Sequence, residues 1–375
     1  MSQTGISRRR FLQAAGLGSV ALASLKAQRA LAAGGRPFSQ SEEDPINELI
    51  SYNELYGNPP FLGRVHGATW LRIFTAPTPS ANSIDRVFWG DVLPIYRGVR
   101  GDPYDSRARS TVWFETDRGY IHSAYVVPCH EIFHEPQPVT GDGFWGEITV
   151  PVSWQHHRPS LDSLRWDFDW YKCYYAQVHR VIDRADDEQG RAWYRLYDDL
   201  EENRQAWVLA HHVRPIPRAE FDPISPEVED KWIEILLDEQ MLSCYEGQDL
   251  VFQTRIASGT SYSNDSGEEF DFSTPYGEYT VQRKRPSRRM RGGHDIGLGY
   301  DVNGVPWCTY FTFTGAAIHG AYWHNNFGYP RSHGCINVTP DAAKWIYRWA
   351  PPYMGYEDAY RWAEEGELAA KIVIR

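Results

Sequence analysis

Long apolar runs are missing from this sequence. Beyond the first 35 residues no segment approaches the ~20 consecutive apolar residues of a membrane-crossing helix, so the mature chain is expected to have no membrane span. Cysteine is scarce, with five in 375 residues (Cys129, Cys173, Cys244, Cys308 and Cys335) and no C-x-x-C pair. That argues against a structural zinc site and against a compact disulfide framework. An odd count also leaves at least one thiol unpaired. Positive charge is in deficit too: the net charge of −11 argues against a nucleic-acid partner. No metal and no organic cofactor is called for by any residue pattern in the chain.

Aromatic residues are abundant, at 14% with 15 Trp and 23 Tyr, enough to fill several small β cores. Residues 1–35 read as a twin-arginine signal peptide. Ser7-Arg8-Arg9-Arg10-Phe11-Leu12-Gln13 precedes a mild apolar run and the small-residue pattern Ala30-Leu31-Ala32. The expected location is therefore outside the cytoplasmic membrane. Residues 36–62, rich in Pro, Gly and polar side chains, read as a linker. Short alternating runs punctuated by turn residues then predict small β units. A repeat is visible. Trp113-Phe114 followed by Gly119–Pro128 parallels Trp193-Tyr194 followed by Ala206–Pro215, without a gap from aromatic to proline. Two units are expected, 63–135 and 136–217, then a proline-dense linker through Pro226 and a third region, 224–375. Pro340–Trp349 reads as a short helix with Thr339 as N-cap.

The chemistry concentrates in Ile318–Asn337, where Cys335 follows Gly334, with His333 two positions upstream and His319 sixteen. A thiol is a nucleophile only as thiolate, and imidazole is its usual proton acceptor. Cys335 is the candidate nucleophile and His319 the candidate base. His333 is the runner-up base, because alternation on an extended segment would put it on the same side as Cys335. The backbone N–H groups of Gly334 and Cys335 are candidate oxyanion donors. The run Arg283–Gly293 is the most basic after the leader and reads either as a solvated loop or as a lid over the site.

Ser332-His333-Gly334-Cys335-Ile336-Asn337 with His319-Gly320 resembles the signature of the YkuD family of L,D-transpeptidases. The resemblance extends to Gln240-Met241-Leu242, Ile256-Ala257-Ser258-Gly259, Thr274-Pro275-Tyr276-Gly277-Glu278-Tyr279 and Asp341–Tyr347. It implies a β-rich catalytic domain with a short helix after the catalytic Cys, and peptidoglycan peptide stems as donor and acceptor. It implies formation of 3→3 cross-links through a Cys335 thioester, and acylation by carbapenem-type inhibitors. It further implies that the Gly320 carbonyl orients His319, and that Trp323 and Asn337 line the substrate groove. Ser332 and His324 are added as candidate groove residues. An L,D-carboxypeptidase and a non-catalytic wall-binding protein are the alternatives. The first unit is similar to bacterial SH3-like domains and the second more distantly so. The expected fold class is therefore mainly β: two small SH3-like β-barrel modules followed by the catalytic domain.

Overall fold

The computed structural model describes residues 61–67, 69–105, 110–163 and 172–375. The expected signal peptide and nearly all of the expected linker lie outside these residues. Strands dominate, and the described residues contain one α-helix, Pro340–Trp349.

The first unit is a seven-stranded sheet. Five of its strands run in the order Gly119–His122, Val112–Thr116, Val92–Arg100, Phe61–Val65, Val126–Cys129. The second unit repeats that order with Trp207–Leu209, Ala192–Leu196, Val178–Asp186, Phe144–Ile148, Val213–Pro215. A 3-10 turn occupies the same place in each, Ser123–Tyr125 and Ala210–His212. The residues that align in sequence thus sit in equivalent strands, and Trp113 and Trp193 are both fully buried. Phe61 and Leu62, expected in the linker, are paired instead with Ile95 and Pro94, because Phe61 fills the first core.

The C-terminal region holds two five-stranded sheets. One runs Asp249–Arg255, Met241–Glu246, Lys231–Leu236, Lys371–Ile374, Gly277–Thr280. Its final strand lies parallel to Lys231–Leu236, with Ile233 opposite Ile372. The other runs Ile336–Val338, Ala317–Gly320, Tyr300–Tyr310, Arg283–Gly292, Arg361–Trp362. The helix is capped by Thr339, whose side chain accepts from Ala342 N, and it buries Ala342, Ala343, Ile346, Tyr347 and Trp349. Ile233, Ile235, Leu242, Ile318, Ile336, Ile346 and Ile372 form the shared core.

Two expectations fail here. The proline-dense stretch is no free linker: Ile216 and Phe221 are buried in the C-terminal core, and Phe221 packs against Trp307 at 5.2 Å. Proline fixes extended backbone but does not prevent apolar neighbours from docking. The basic run is neither solvated loop nor lid. It is the strand Arg283–Gly292, whose arginines pair with acidic residues of the second unit. The units interlock elsewhere too. Arg64, fully buried, donates to Tyr322 O at 2.8 Å and lies 4.0 Å over the Tyr174 ring. Asn325 Nδ2 donates to Ser123 O and Val126 O at 3.1 and 3.2 Å.

Candidate active site

The strands Ala317–Gly320 and Ile336–Val338 are parallel, with Ile318 opposite Ile336 and His319 opposite Asn337. Both isoleucines enter the core, so alternation sends Ala317 and His319 to the other face. Cys335 precedes its strand by one residue and packs on that same face, beside Ala317 and Trp323. Cys335 and His319 are then one strand across and two residues along from each other, about 8 Å between backbones, a gap that a thiol and an imidazole can bridge.

Backbone bonds hold the turn before Cys335 in place. Ser258 O accepts from Arg331 N and Ser332 N at 2.7 and 2.8 Å, and Ala257 and Asn337 exchange bonds of 2.9 and 3.0 Å. Thr274 Oγ1 accepts from Gly259 N at 2.9 Å and donates to Gly334 O at 3.1 Å. Gly259 must be glycine: a Cβ there would lie 2.0 Å from Phe272 O and 2.9 Å from Gly334 Cα. Ser258 is fixed in turn by Gln240, which accepts from its N–H at 2.9 Å and donates to its hydroxyl at 2.7 Å. The conspicuous upstream motifs are therefore the cradle of the cysteine turn.

His319 is buried, and its Nδ1 lies 3.2 Å from Gly320 O. A carbonyl only accepts, so the proton sits on Nδ1 and the lone pair on Nε2. Burial pushes this imidazole down to about 4, against the favourable bond to Gly320. Burial likewise pushes the Cys335 thiol up to about 11, opposed by a backbone hydrogen bond from Ala317. Cys335 nevertheless keeps part of its surface open, and the other four cysteines are buried. Its Sγ lies 3.9 Å from Gly315 O. At neutral pH both members of the pair are uncharged.

His333 is placed elsewhere. Gly334 has φ 103°, so the backbone is not extended there and the alternation expected for His333 and Cys335 is broken. The His333 ring instead stacks on Tyr262 at 4.6 Å and packs against Phe272 and Tyr300 at 4.7 and 5.0 Å. Ser332 is a turn residue, not a groove residue: it is buried, donates to Cys335 O and accepts from Gly334 N at 3.1 Å. The Gly334 N–H is thereby occupied, which leaves Cys335 N–H as the oxyanion donor candidate from this pair.

His324 and Asn337, both expected in the groove, are buried against each other with 3.0 Å between Asn337 Nδ2 and His324 Nε2. His324 Nδ1 accepts from Asn326 N at 3.3 Å, so Nε2 carries the proton and the Asn337 amide belongs in the flipped orientation, Oδ1 toward it. Trp323 lies 5.7 Å from the His319 ring and packs against the same cluster as Cys335. Sequence reasoning missed Tyr262, Phe272 and Tyr300 around His333, and Met290 and Val302 on the cluster that Cys335 packs against. Among the described residues no group of three or more His, Cys, Asp or Glu is arranged to hold a metal.

Residues 230–371 match the YkuD family, the L,D-transpeptidase catalytic domain. The match includes the final-strand residue Lys371 as well as the cysteine turn. The chain is 26% identical over 137 residues to the candidate L,D-transpeptidase YciB of Bacillus subtilis, covering 34% of this chain and 66% of that protein. An L,D-transpeptidase from Mycobacterium smegmatis is similar at 21% identity and TM-score 0.29, covering 39% of this chain and 58% of that one. The catalytic domain of the Enterococcus faecium L,D-transpeptidase acylated by ertapenem is similar at 24% identity and TM-score 0.28, covering 39% and 98%. The chain thus spans 66% of the length of its curated relative and 58% of the mycobacterial chain.

Proposed function

We propose that this chain is an exported peptidoglycan L,D-transpeptidase that forms 3→3 cross-links by cysteine acyl transfer. One observation carries the reading. The cysteine that is not buried shares a sheet face with a histidine whose Nδ1 is pinned by the Gly320 carbonyl. That histidine can only act through Nε2, as a base.

His319 Nε2 takes the Cys335 proton as sulfur attacks the carbonyl of the L-centred third residue of a tetrapeptide stem. The tetrahedral oxyanion is met by Cys335 N–H, a kind of donor worth about 10²–10³ in rate. Collapse expels the terminal D-Ala amine, which receives the proton from His319, and leaves a thioester on Cys335. The side-chain amine of a second stem then attacks the thioester. His319 takes a proton from that amine and returns it to the sulfur as the thiol is released. Trp323 walls the site, its ring tilted 32° to that of His319 at 5.7 Å. The repeated N-terminal units are read as SH3-like modules, and the twin-arginine leader as the export route to the wall. A carbapenem would acylate the same sulfur.

The test is product analysis on purified disaccharide-tetrapeptide. Dimers with a 3→3 link, absent with Cys335→Ala, are expected. Trimmed monomers alone would make the enzyme an L,D-carboxypeptidase, with water in place of the amine. Neither product would end the catalytic reading.

A further inference from the structure

The two copies of the repeated unit differ at one hairpin. In the first, Val112–Thr116 and Gly119–His122 are joined by Asp117-Arg118. In the second, Ala192–Leu196 and Trp207–Leu209 are separated by ten residues, Tyr197-Asp198-Asp199-Leu200-Glu201-Glu202-Asn203-Arg204-Gln205-Ala206. This loop is braced from within. Asp198 Oδ1 accepts from Leu200 N and Glu201 N at 3.0 and 3.2 Å, and Oδ2 meets Arg204 at 2.6 Å. Burial raises the Asp198 carboxyl, but those bonds and the Arg289 charge outweigh it and hold it charged.

The loop reaches the strand Arg283–Gly292 of the YkuD domain. There the ladder to Tyr300–Tyr310 slips by one residue between Arg288 and Met290: Asn303 and Gly304 together face Arg289, which stands opposite the bulge. Asp199 Oδ1 accepts the Arg289 N–H at 3.1 Å, and Asp199 Oδ2 holds Arg285 at 3.2 Å and also Arg288. The Arg289 guanidinium, 6% exposed, forks onto Asp301 with two bonds of 2.7 Å. It also reaches Asp198 at 2.9 Å and Glu201 at 3.0 Å. A buried guanidinium so shared has no alternative partner in water.

The strand pair reaches the cluster that the nucleophile packs against. Met290 stands opposite Val302, and both pack in the cluster that contains Trp323 and Cys335. Two residues further, Gly292 pairs with Tyr300, whose ring rests on His333 at 5.0 Å. Shifting the bulge by one residue would turn Met290 to the other face and slide Tyr300 along the pocket.

We infer that the acidic loop 197–206 is a positioning device for the nucleophile: Asp198 and Asp199, by holding Arg289 opposite the bulge, fix the Met290 and Tyr300 walls around Cys335. The second unit is then part of the active-site frame rather than a spacer. Its effect on turnover rests on the transpeptidase reading, but its effect on the thiol does not.

The experiment compares the full chain with its Asp199→Ala, Asp199→Asn and Glu202→Ala variants. Glu202 lies in the same loop and is exposed. Two quantities are read below the melting transition: the rate of Cys335 alkylation by iodoacetamide, followed by intact mass, and kcat and KM on tetrapeptide stems. Asp199→Ala is expected to speed alkylation several-fold as the pocket loosens. It should lower kcat by at least about tenfold with KM little changed, as sub-ångström misplacement does. Asp199→Asn, which keeps an acceptor for the Arg289 N–H, should recover part of both, and Glu202→Ala should match the parent. Alkylation and kcat unchanged in Asp199→Ala would overturn the inference, even if its melting temperature fell. Should Asp199→Ala not fold, the same two readings on Asp199→Asn decide. If the parent enzyme shows no turnover, the transpeptidase reading has failed and alkylation alone judges the loop.

Discussion

The resting state of the Cys335–His319 pair sets how the enzyme should respond to pH. Burial places the thiol at about 11 and the imidazole at about 4, some seven pH units apart in the direction that opposes proton transfer. At about 1.4 kcal/mol per unit, an ion pair would cost on the order of 10 kcal/mol before the charges attract each other. Their attraction at contact distance is about 4 kcal/mol in a protein-like dielectric. The neutral pair therefore wins by several kcal/mol, and proton transfer must accompany attack on substrate rather than precede it. The assay is alkylation of the free enzyme by iodoacetamide from pH 6 to pH 10, read by mass, with Cys335 the cysteine that is not buried. At pH 7.5 only about 3 in 10⁴ molecules should carry thiolate, making alkylation about 300-fold slower than for an ordinary cysteine of pKa near 8.5. The rate should climb about tenfold per pH unit with no plateau below pH 10. His319→Ala should leave this rate within a few-fold of the parent while lowering acylation by substrate about 10²–10⁴-fold. A plateau with an inflection below pH 7, lost in His319→Ala, would refute the neutral pair and indicate a preformed thiolate–imidazolium.

Other consequences follow from the same geometry. Gly334→Ala places a side chain at φ 103°, where the neighbouring Phe272 O is 3.7 Å away, so strain rather than collision is the cost. It should lose about 1–3 kcal/mol of stability and most of the acylation rate, measured by urea melts and acyl-enzyme formation. Asn337→Leu leaves the buried His324 Nε2–H without its acceptor and should cost about 1–3 kcal/mol, seen as a lower melting temperature. Acid should destabilise the fold. His179 and His319 are both buried and held near 4, while their unfolded counterparts take protons near 6.5. Between those values the unfolded state binds more protons, so stability falls as pH falls, by up to about 1.4 kcal/mol per unit for each histidine. Urea midpoints at pH 7, 6 and 5 that stay level would contradict it.

Much of this was legible in the residues, and the illegible part has a common cause. The duplication of Gly119–Pro128 in Ala206–Pro215 translates into the same strands and the same 3-10 turn, because the pattern of inward aromatics and aliphatics is local. The helix after Thr339 is announced by its cap and apolar spacing. The partners of Arg285, Arg288 and Arg289 lie about ninety residues upstream in a loop of another unit, and no local pattern reveals that an arginine is destined for burial. Phe221 is likewise drawn from a proline-dense stretch into the main core by Trp307 and Tyr356. His333 and His324 were misplaced for a related reason. Short motifs tell which residues gather near Cys335 but not which face them, and one glycine with positive φ is enough to turn His333 into an aromatic cage.

The most direct measurement is the mass of the intact enzyme after brief incubation with a purified tetrapeptide stem, followed by mapping of the modified peptide. A thioester adduct lacking one D-Ala, carried on Cys335 and absent from Cys335→Ala, is the expected result. No adduct on the parent enzyme, or an adduct that persists when Cys335 is removed, would contradict nucleophilic catalysis by this residue.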